Sequence, residues 1–160
     1  MKRALKFLCF LLLAIIALSV NSCSDPNAVI DKNTGIENHN WSYTNLVKFD
    51  VNIDNANIPY TLFLNLRVTS DYRYSNIFVL IHQTGPDGKT STNRYEFKLA
   101  NTDGEWLGDG SGNLYSYQMP YLSGTIFPKP GVYHFSIEQN MRDNPLHDVS
   151  DVGLRVEKAK

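Results

Sequence analysis

Cysteine is nearly absent: the chain has two in 160 residues, Cys9 and Cys23. Cys9 falls inside an apolar leader, so the chain beyond the leader holds one thiol and an internal disulfide framework is excluded. Basic charge is scarce too. Lys2, Arg3 and Lys6 all precede residue 22 and no acid does, which leaves 12 of the 15 basic residues against all 16 acidic ones, a formal charge of −4. The remaining Lys and Arg stand singly among acids and aromatics instead of in a stripe, so no nucleic-acid partner is expected. Long apolar runs are also missing. Phe7 to Leu18 is shorter than the roughly 20 apolar residues a helix needs to cross a hydrocarbon core, and nothing like it recurs downstream.

Catalytic patterns are missing as well. There is no Gly-x-Ser-x-Gly, and Ser111, although it lies between two glycines, lacks the strand-to-helix elbow of a nucleophile. His39, His82, His134 and His147 are scattered, with no two at the short spacing that offers both to one zinc ion. No enzyme activity and no cofactor are expected. Three acids, Asp103, Glu105 and Asp109, fall in one loop beside Trp106. A glycosidase pair could be drawn from them, but solvated turn acids are the simpler reading. They are also the calcium candidates. The register departs from an EF-hand, since counting from Asn101 the glycine position holds Trp106 and the bidentate-acid position holds Gly112.

What is present begins with an address. Residues 1–22 read as a secretory signal: basic residues, the apolar run, then small and polar residues. The signal ends Leu18-Ser-Val-Asn-Ser-Cys23, similar to a bacterial lipobox, which makes Cys23 the expected acylation site, carrying palmitate-type chains. Ordinary cleavage near Ser22 with a free thiol is the alternative. Acyl chains would anchor the protein to a membrane without spanning it. Residues 23–40 are polar, without a clear period, and read as a lipidated tether that reaches at most about 55 Å; residues 41–160 suit one domain.

That domain reads as all-β. Val47, Phe49, Val51 and Ile53 alternate with polar residues, and Tyr60, Leu62, Leu64, Leu66 and Val68 do the same, so the two are expected to form a hairpin. Ile77 to Ile81 is continuously apolar, as for a central strand covered on both faces. A Gly85-Pro-Asp-Gly88 turn then leads to Tyr95, Phe97 and Leu99, a second hairpin. Tyr115, Tyr117, Met119 and Tyr121 line one side of a further strand. Pro130-Gly131 introduces Tyr133, Phe135 and Ile137, facing inward, and Val152, Leu154 and Val156 form the last strand, after one helical turn within 140–148. Short strands with turn signals and no amphipathic helix predict a single antiparallel β-sandwich, immunoglobulin-like or jelly-roll-like. Trp41 and Tyr43 are expected to staple its first strand.

The loop Asp103 to Gly112 holds four glycines around Trp106. Trp106, with Tyr115, Tyr117 and Tyr121, is the candidate interaction or glycan-stacking surface; the alternative is that these rings fill the core. Asp103-Gly-Glu-Trp-Leu-Gly-Asp-Gly110, Phe127-Pro-Lys-Pro-Gly-Val-Tyr-His-Phe-Ser-Ile-Glu-Gln-Asn-Met-Arg142 and Asp151-Val-Gly-Leu-Arg-Val-Glu157 resemble the gliding-motility lipoprotein family GldH, as do Ser75-Asn-Ile-Phe-Val79 and Gly85-Pro-Asp-Gly88. With the lipobox, the resemblance spans nearly the whole chain. It implies a cell-envelope lipoprotein of the Bacteroidetes, at the outer membrane, serving an assembly that drives gliding and is linked to protein secretion. Of the functional positions only Cys23 carries over. A lipid-anchored, non-enzymatic interaction domain with envelope-protein partners is therefore expected, with a carbohydrate-binding lipoprotein as the alternative.

Overall fold

The computed structural model describes residues 25–110 and 112–159, so Cys23 and the leader lie outside the described residues. In chain order the strands are β1 (Ala28–Gly35), β2 (Asn40–Trp41), β3 (Val47–Ile53), β4 (Tyr60–Thr69), β5 (Asn76–Thr84), β6 (Thr90–Lys98), β7 (Asp109–Gly110), β8 (Leu114–Thr125), β9 (Gly131–Gln139), β10 (Leu146–His147) and β11 (Val149–Lys158). They form a five-stranded sheet in the order β1-β11-β4-β8-β7, a four-stranded sheet in the order β3-β9-β5-β6, and a β2-β10 ribbon. Every pairing is antiparallel. This is the expected sandwich.

Alternation explains how the sheets close on each other. From the four-stranded sheet, Val51, Ile53, Tyr133, Phe135 and Ile137 turn inward at 2 % exposure or less; Leu62, Leu64, Val152, Leu154 and Val156 answer from the other sheet, each fully buried. Each such side chain contributes about 1.5–3 kcal/mol by leaving water. Trp41 closes one end. It is fully buried, its Nε1–H donates to Asn45 O at 2.9 Å, and its strand neighbour is Leu146. Tyr43, expected beside it as a staple, is exposed instead.

Four expectations change. The β3–β4 hairpin does not form: β3 pairs with β9 and β4 with β8 and β11, so the two lie in different sheets, and β3 packs over β1 and β11. β5 is central, between β9 and β6, but only Ile77, Val79 and Ile81 are buried. Phe78 lies on the outer face, where the Arg94 guanidinium stacks 3.8 Å from its ring centre. Asn140 to Asp148 holds β10 and no helical turn. The fourth change concerns the stretch expected as a tether. It contributes β1, which pairs with β11 from Ala28↔Glu157 to Gly35↔Asp151 with a bulge at its start, so the sandwich begins at residue 28.

Gly153 fixes how closely β1 docks. A Cβ there would meet Asn33 Oδ1 at 1.9 Å and Lys32 O at 2.5 Å, and one of those contacts is backbone. Gly153→Ala is therefore expected to lower the stability measured by urea unfolding by about 1–3 kcal/mol. The same variant should lose amide-exchange protection first over β1; unchanged stability and protection would show that β1 is not held this closely.

Candidate functional site

The glycine-rich loop is a tight, hydrogen-bonded turn. Asn101 N–H donates to Glu105 O at 2.8 Å, Gly104 N–H to Asn101 O at 3.0 Å and Leu107 N–H to Leu99 O at 2.9 Å, while Trp106 bridges to Ala100. Gly104 has φ +89° and Gly112 φ +83°, the left-handed region that glycine enters without strain. Gly108 serves closeness. A Cβ there would come within 2.6 Å of the Tyr117 ring, which the loop covers.

The four candidate rings separate into two groups. Trp106 stacks on Tyr115, centroids 5.2 Å apart at 27°, and both are half-buried, with Leu107 next to them 49 % exposed. Tyr117 and Tyr121, by contrast, face the core. The Tyr117 hydroxyl donates to Leu99 O at 2.9 Å, and burial pushes its pKa up to about 12, with a hydrogen bond to the Gly108 backbone acting in the other direction. Tyr121 is the extra residue of a β8 bulge and leans on Tyr95 of the opposite sheet, centroids 5.0 Å apart. Burial raises its pKa too, and its hydroxyl has no hydrogen-bond partner among the described residues. A four-ring platform is therefore not built. The exposed remainder is Trp106, Leu107 and the edge of Tyr115.

The calcium candidates also part. Asp103 Oδ1 accepts the Glu105 N–H at 3.2 Å, Glu105 Oε2 accepts from Asn101 Nδ2 at 3.4 Å, and Asp109 stands on β7 opposite Ser116. Among the described residues no three carboxylate, imidazole or thiol groups gather where they could hold a metal ion. Three histidines bond polar neighbours: His82 lies between the Thr92 hydroxyl at 2.8 Å and Glu138 at 3.3 Å, His134 bonds Asp50 at 2.6 Å, and His147 bonds Asn40 at 2.5 Å.

The outer face of the five-stranded sheet carries polar residues that sequence reasoning missed. Register sets them in three rows: Asp31, Arg155, Phe63 and Pro120; then Asn33, Gly153, Asn65 and Gln118; then Gly35, Asp151, Arg67, Ser116 and Asp109. Asn65 Nδ2 donates to Asp31 Oδ1 at 2.8 Å and Gln118 Nε2 to Asn65 Oδ1 at 3.1 Å. Arg155 bonds Asp25, Asp31 and Glu157, and those carboxylates, Glu157 first, raise its pKa. Arg67 forms a two-pronged pair with Asp151. Burial alone would raise the Asp151 carboxyl, but hydrogen bonds from Arg67 and Ser150 outweigh it and hold the carboxyl below its ordinary value. The middle of this face is a trough of about 390 Å³. One local signal could have flagged it: Asn65, a poor strand former, sits mid-strand between Leu64 and Leu66.

The family model described as GldH lipoprotein matches residues 28–156. A gliding motility lipoprotein GldH homolog of Christiangramia forsetii is 35 % identical over 153 residues, covering 91 % of this chain and 93 % of that protein. Gliding motility lipoprotein GldH of Flavobacterium johnsoniae is 28 % identical over 154 residues, covering 92 % and 94 %. Among solved structures, a non-crystalline cellulose specific carbohydrate-binding module, CBM28, aligns with a TM-score of 0.40 at 8 % identity, over 81 % of this chain and 72 % of that one. A structure of infectious bursal disease virus aligns at 0.32 and 17 % identity, over 81 % and 31 %.

The partnerless Tyr121 hydroxyl yields a sign prediction. A buried polar group without a partner costs about 1–3 kcal/mol, so Tyr121→Phe should leave the urea midpoint unchanged or raise the stability by about 1 kcal/mol. A clear loss would mean that the hydroxyl has a partner, such as a bridging water.

Proposed function

Because this chain belongs to the GldH lipoprotein family, we propose that it is a non-enzymatic, lipid-anchored interaction domain serving a motility or secretion assembly of the cell envelope. The family and its relatives named for gliding motility support an envelope lipoprotein. The finer reading, that the sandwich acts by offering a surface to envelope proteins, rests on the direction of β1.

Cys23 stands five residues before the start of β1, so an acylated Cys23 can be no more than about 18 Å from it. β1 then runs away from that end for eight residues, about 25 Å of strand. The remote end of β1 is Gly35, which shares a row with Asp151, Arg67, Ser116 and Asp109. The Trp106 loop leads directly into Asp109. With the anchor at Cys23, the loop therefore sits at the end of the sandwich farthest from the lipid. A half-buried Trp stacked on a Tyr, beside an exposed Leu107, is rigid and partly apolar, as interface anchors are. The hydrogen-bonded turn beneath holds it in place, which lowers the ordering cost of binding.

Two experiments test this. Cys23→Ala should release the folded domain from the membrane fraction, and continued retention would remove the lipid anchor from the reading. In-cell cross-linking with mass spectrometry, comparing wild type with Trp106→Ala and Leu107→Ser, is expected to capture specific envelope proteins that both variants lose while the circular dichroism spectra match. Capture that is unchanged in both variants would take the loop out of the interface. Absence of any envelope protein with wild type would overturn the interaction reading itself.

A further inference from the structure

The polar trough on the outer face of the five-stranded sheet meets the Trp106 loop only at Asp109 and has its own chemistry. Its middle row spans four strands, Asn33 on β1, Gly153 on β11, Asn65 on β4 and Gln118 on β8. At about 4.8 Å per strand this is about 14 Å, the length of a short oligosaccharide. Gly153 has no side chain, and the Asn33 amide lies across it, so the row stays low between Asn33 and Asn65. The two flanking rows form walls, with Asp31 and Arg155 on one side and Arg67, Ser116 and Asp109 on the other.

The groups in the trough are fixed in place. Asn65 is 6 % exposed although it points away from the apolar core, and hydrogen bonds to Asp31 and from Gln118 hold its amide from both sides. That leaves Gln118 Oε1, the Ser116 hydroxyl and the exposed Asn33 amide, which lies across Gly153, with no hydrogen bond to another described residue, beside the Asp109 carboxylate. The charges, meanwhile, are satisfied within the face. Arg67 pairs with Asp151, and Arg155 pairs with Asp25, Asp31 and Glu157. A guanidinium already bound to carboxylates offers little to an incoming anion, which disfavours phosphate or an acidic polymer. A peptide would need apolar pockets for its anchors, and the middle row supplies amides where those would be. Planar amides that both donate and accept, fixed at strand spacing, match the vicinal hydroxyls of a sugar. Phe63, half-exposed next to Pro120 in the neighbouring row, gives one apolar surface at the side.

We infer that this trough binds a neutral oligosaccharide, held by Asn33 and Gln118 above the buried Asn65 amide and flanked by Ser116 and Asp109. The site adjoins the tip loop at Asp109 but does not include Trp106 or Leu107, and it does not depend on the assembly reading. A domain with both surfaces could hold an envelope glycan on its side while its tip engages a protein.

The test uses the full chain in phospholipid nanodiscs, titrated calorimetrically with neutral hexasaccharides of β-1,4-glucose, β-1,4-N-acetylglucosamine and α-1,6-mannose, and with a polygalacturonate fragment. Wild type is expected to bind at least one neutral hexasaccharide with a Kd between about 10 μM and 1 mM. Asn33→Ala and Gln118→Ala alter exposed side chains, and matching circular dichroism spectra check that the fold is kept; each should weaken binding by about tenfold, the size of one or two lost hydrogen bonds. Trp106→Ala should bind as wild type does, and raising the salt should change nothing, as for an uncharged ligand. Failure of all three neutral hexasaccharides at about 10 mM would overturn the inference. So would polygalacturonate binding more tightly than any of them, or binding that Trp106→Ala abolishes and Gln118→Ala leaves intact. An envelope protein cross-linking through the Gln118 face would likewise overturn it, by making the trough a protein docking surface.

Discussion

The docking of β1 along β11 is the contact on which the rest of the arrangement depends. Without it, β11 would be an edge strand and the partly buried Val29 and Ile30, the latter opposite Val156, would no longer lie against the core. Gly153 lets the strands approach, because Asn33 and the Lys32 carbonyl occupy the space a side chain would need. Arg155 then holds the start of β1 by reaching Asp25 and Asp31 at once while bonding its own strand neighbour Glu157. Exposed ion pairs contribute little one by one, but this guanidinium is only 13 % exposed and satisfies three carboxylates. The same docking brings Asn33 and Asp31 to the sheet face that holds Asn65. Structure and candidate site thus share one strand.

Much of this was legible in the sequence, and the failures have physical causes. The Gly85 to Gly88 turn announced the β5–β6 hairpin, and Tyr133, Phe135 and Ile137 announced the inner face of β9, because local turn chemistry and period-2 alternation each report something the chain decides nearby. The β3–β4 hairpin failed because alternation says which side of a strand is buried and not which strand lies beside it. Val47 to Ile53 and Tyr60 to Val68 each bury one side, but they belong to different sheets, and the pairing partner of β3 is β9, some 80 residues on. β1 was missed for another reason. Its bulge at Ala28 to Ile30 breaks the alternation, and from Asp31 to Gly35 it is exposed, so nothing in it reads as half-buried.

The aromatic loop shows how far composition reaches. Four glycines around one Trp implied close backbone approach, and Gly108 against Tyr117 is such an approach. That Tyr115, Tyr117 and Tyr121 share one side of β8 was also legible, but the identity of that side was not. It proved to be the core side, which turned most of a supposed platform into packing. Beyond the hint of Asn65 in mid-strand, the trough was out of reach, since Asn33, Asn65, Gly153 and Gln118 become neighbours only through the register of four strands.

The docked β1 also changes what a lipid anchor would accomplish. A tether of about 55 Å ahead of a sandwich whose longest strands span about 35 Å would let the domain explore a layer about 90 Å deep; a link of about 18 Å cuts that layer to a little over 50 Å. Local concentration scales inversely with depth, so the gain is less than about twofold, worth a few tenths of a kcal/mol. Confinement alone is thus a minor benefit of the short link. Orientation is the larger one, because a domain held by the start of β1 presents the opposite end of its sheets away from the lipid, whereas a long free tether would present every face equally. The loop at Trp106 is at that opposite end, and the polar rows lie on the flank between the two. A short link therefore matters for which surface a partner meets more than for how often it meets one.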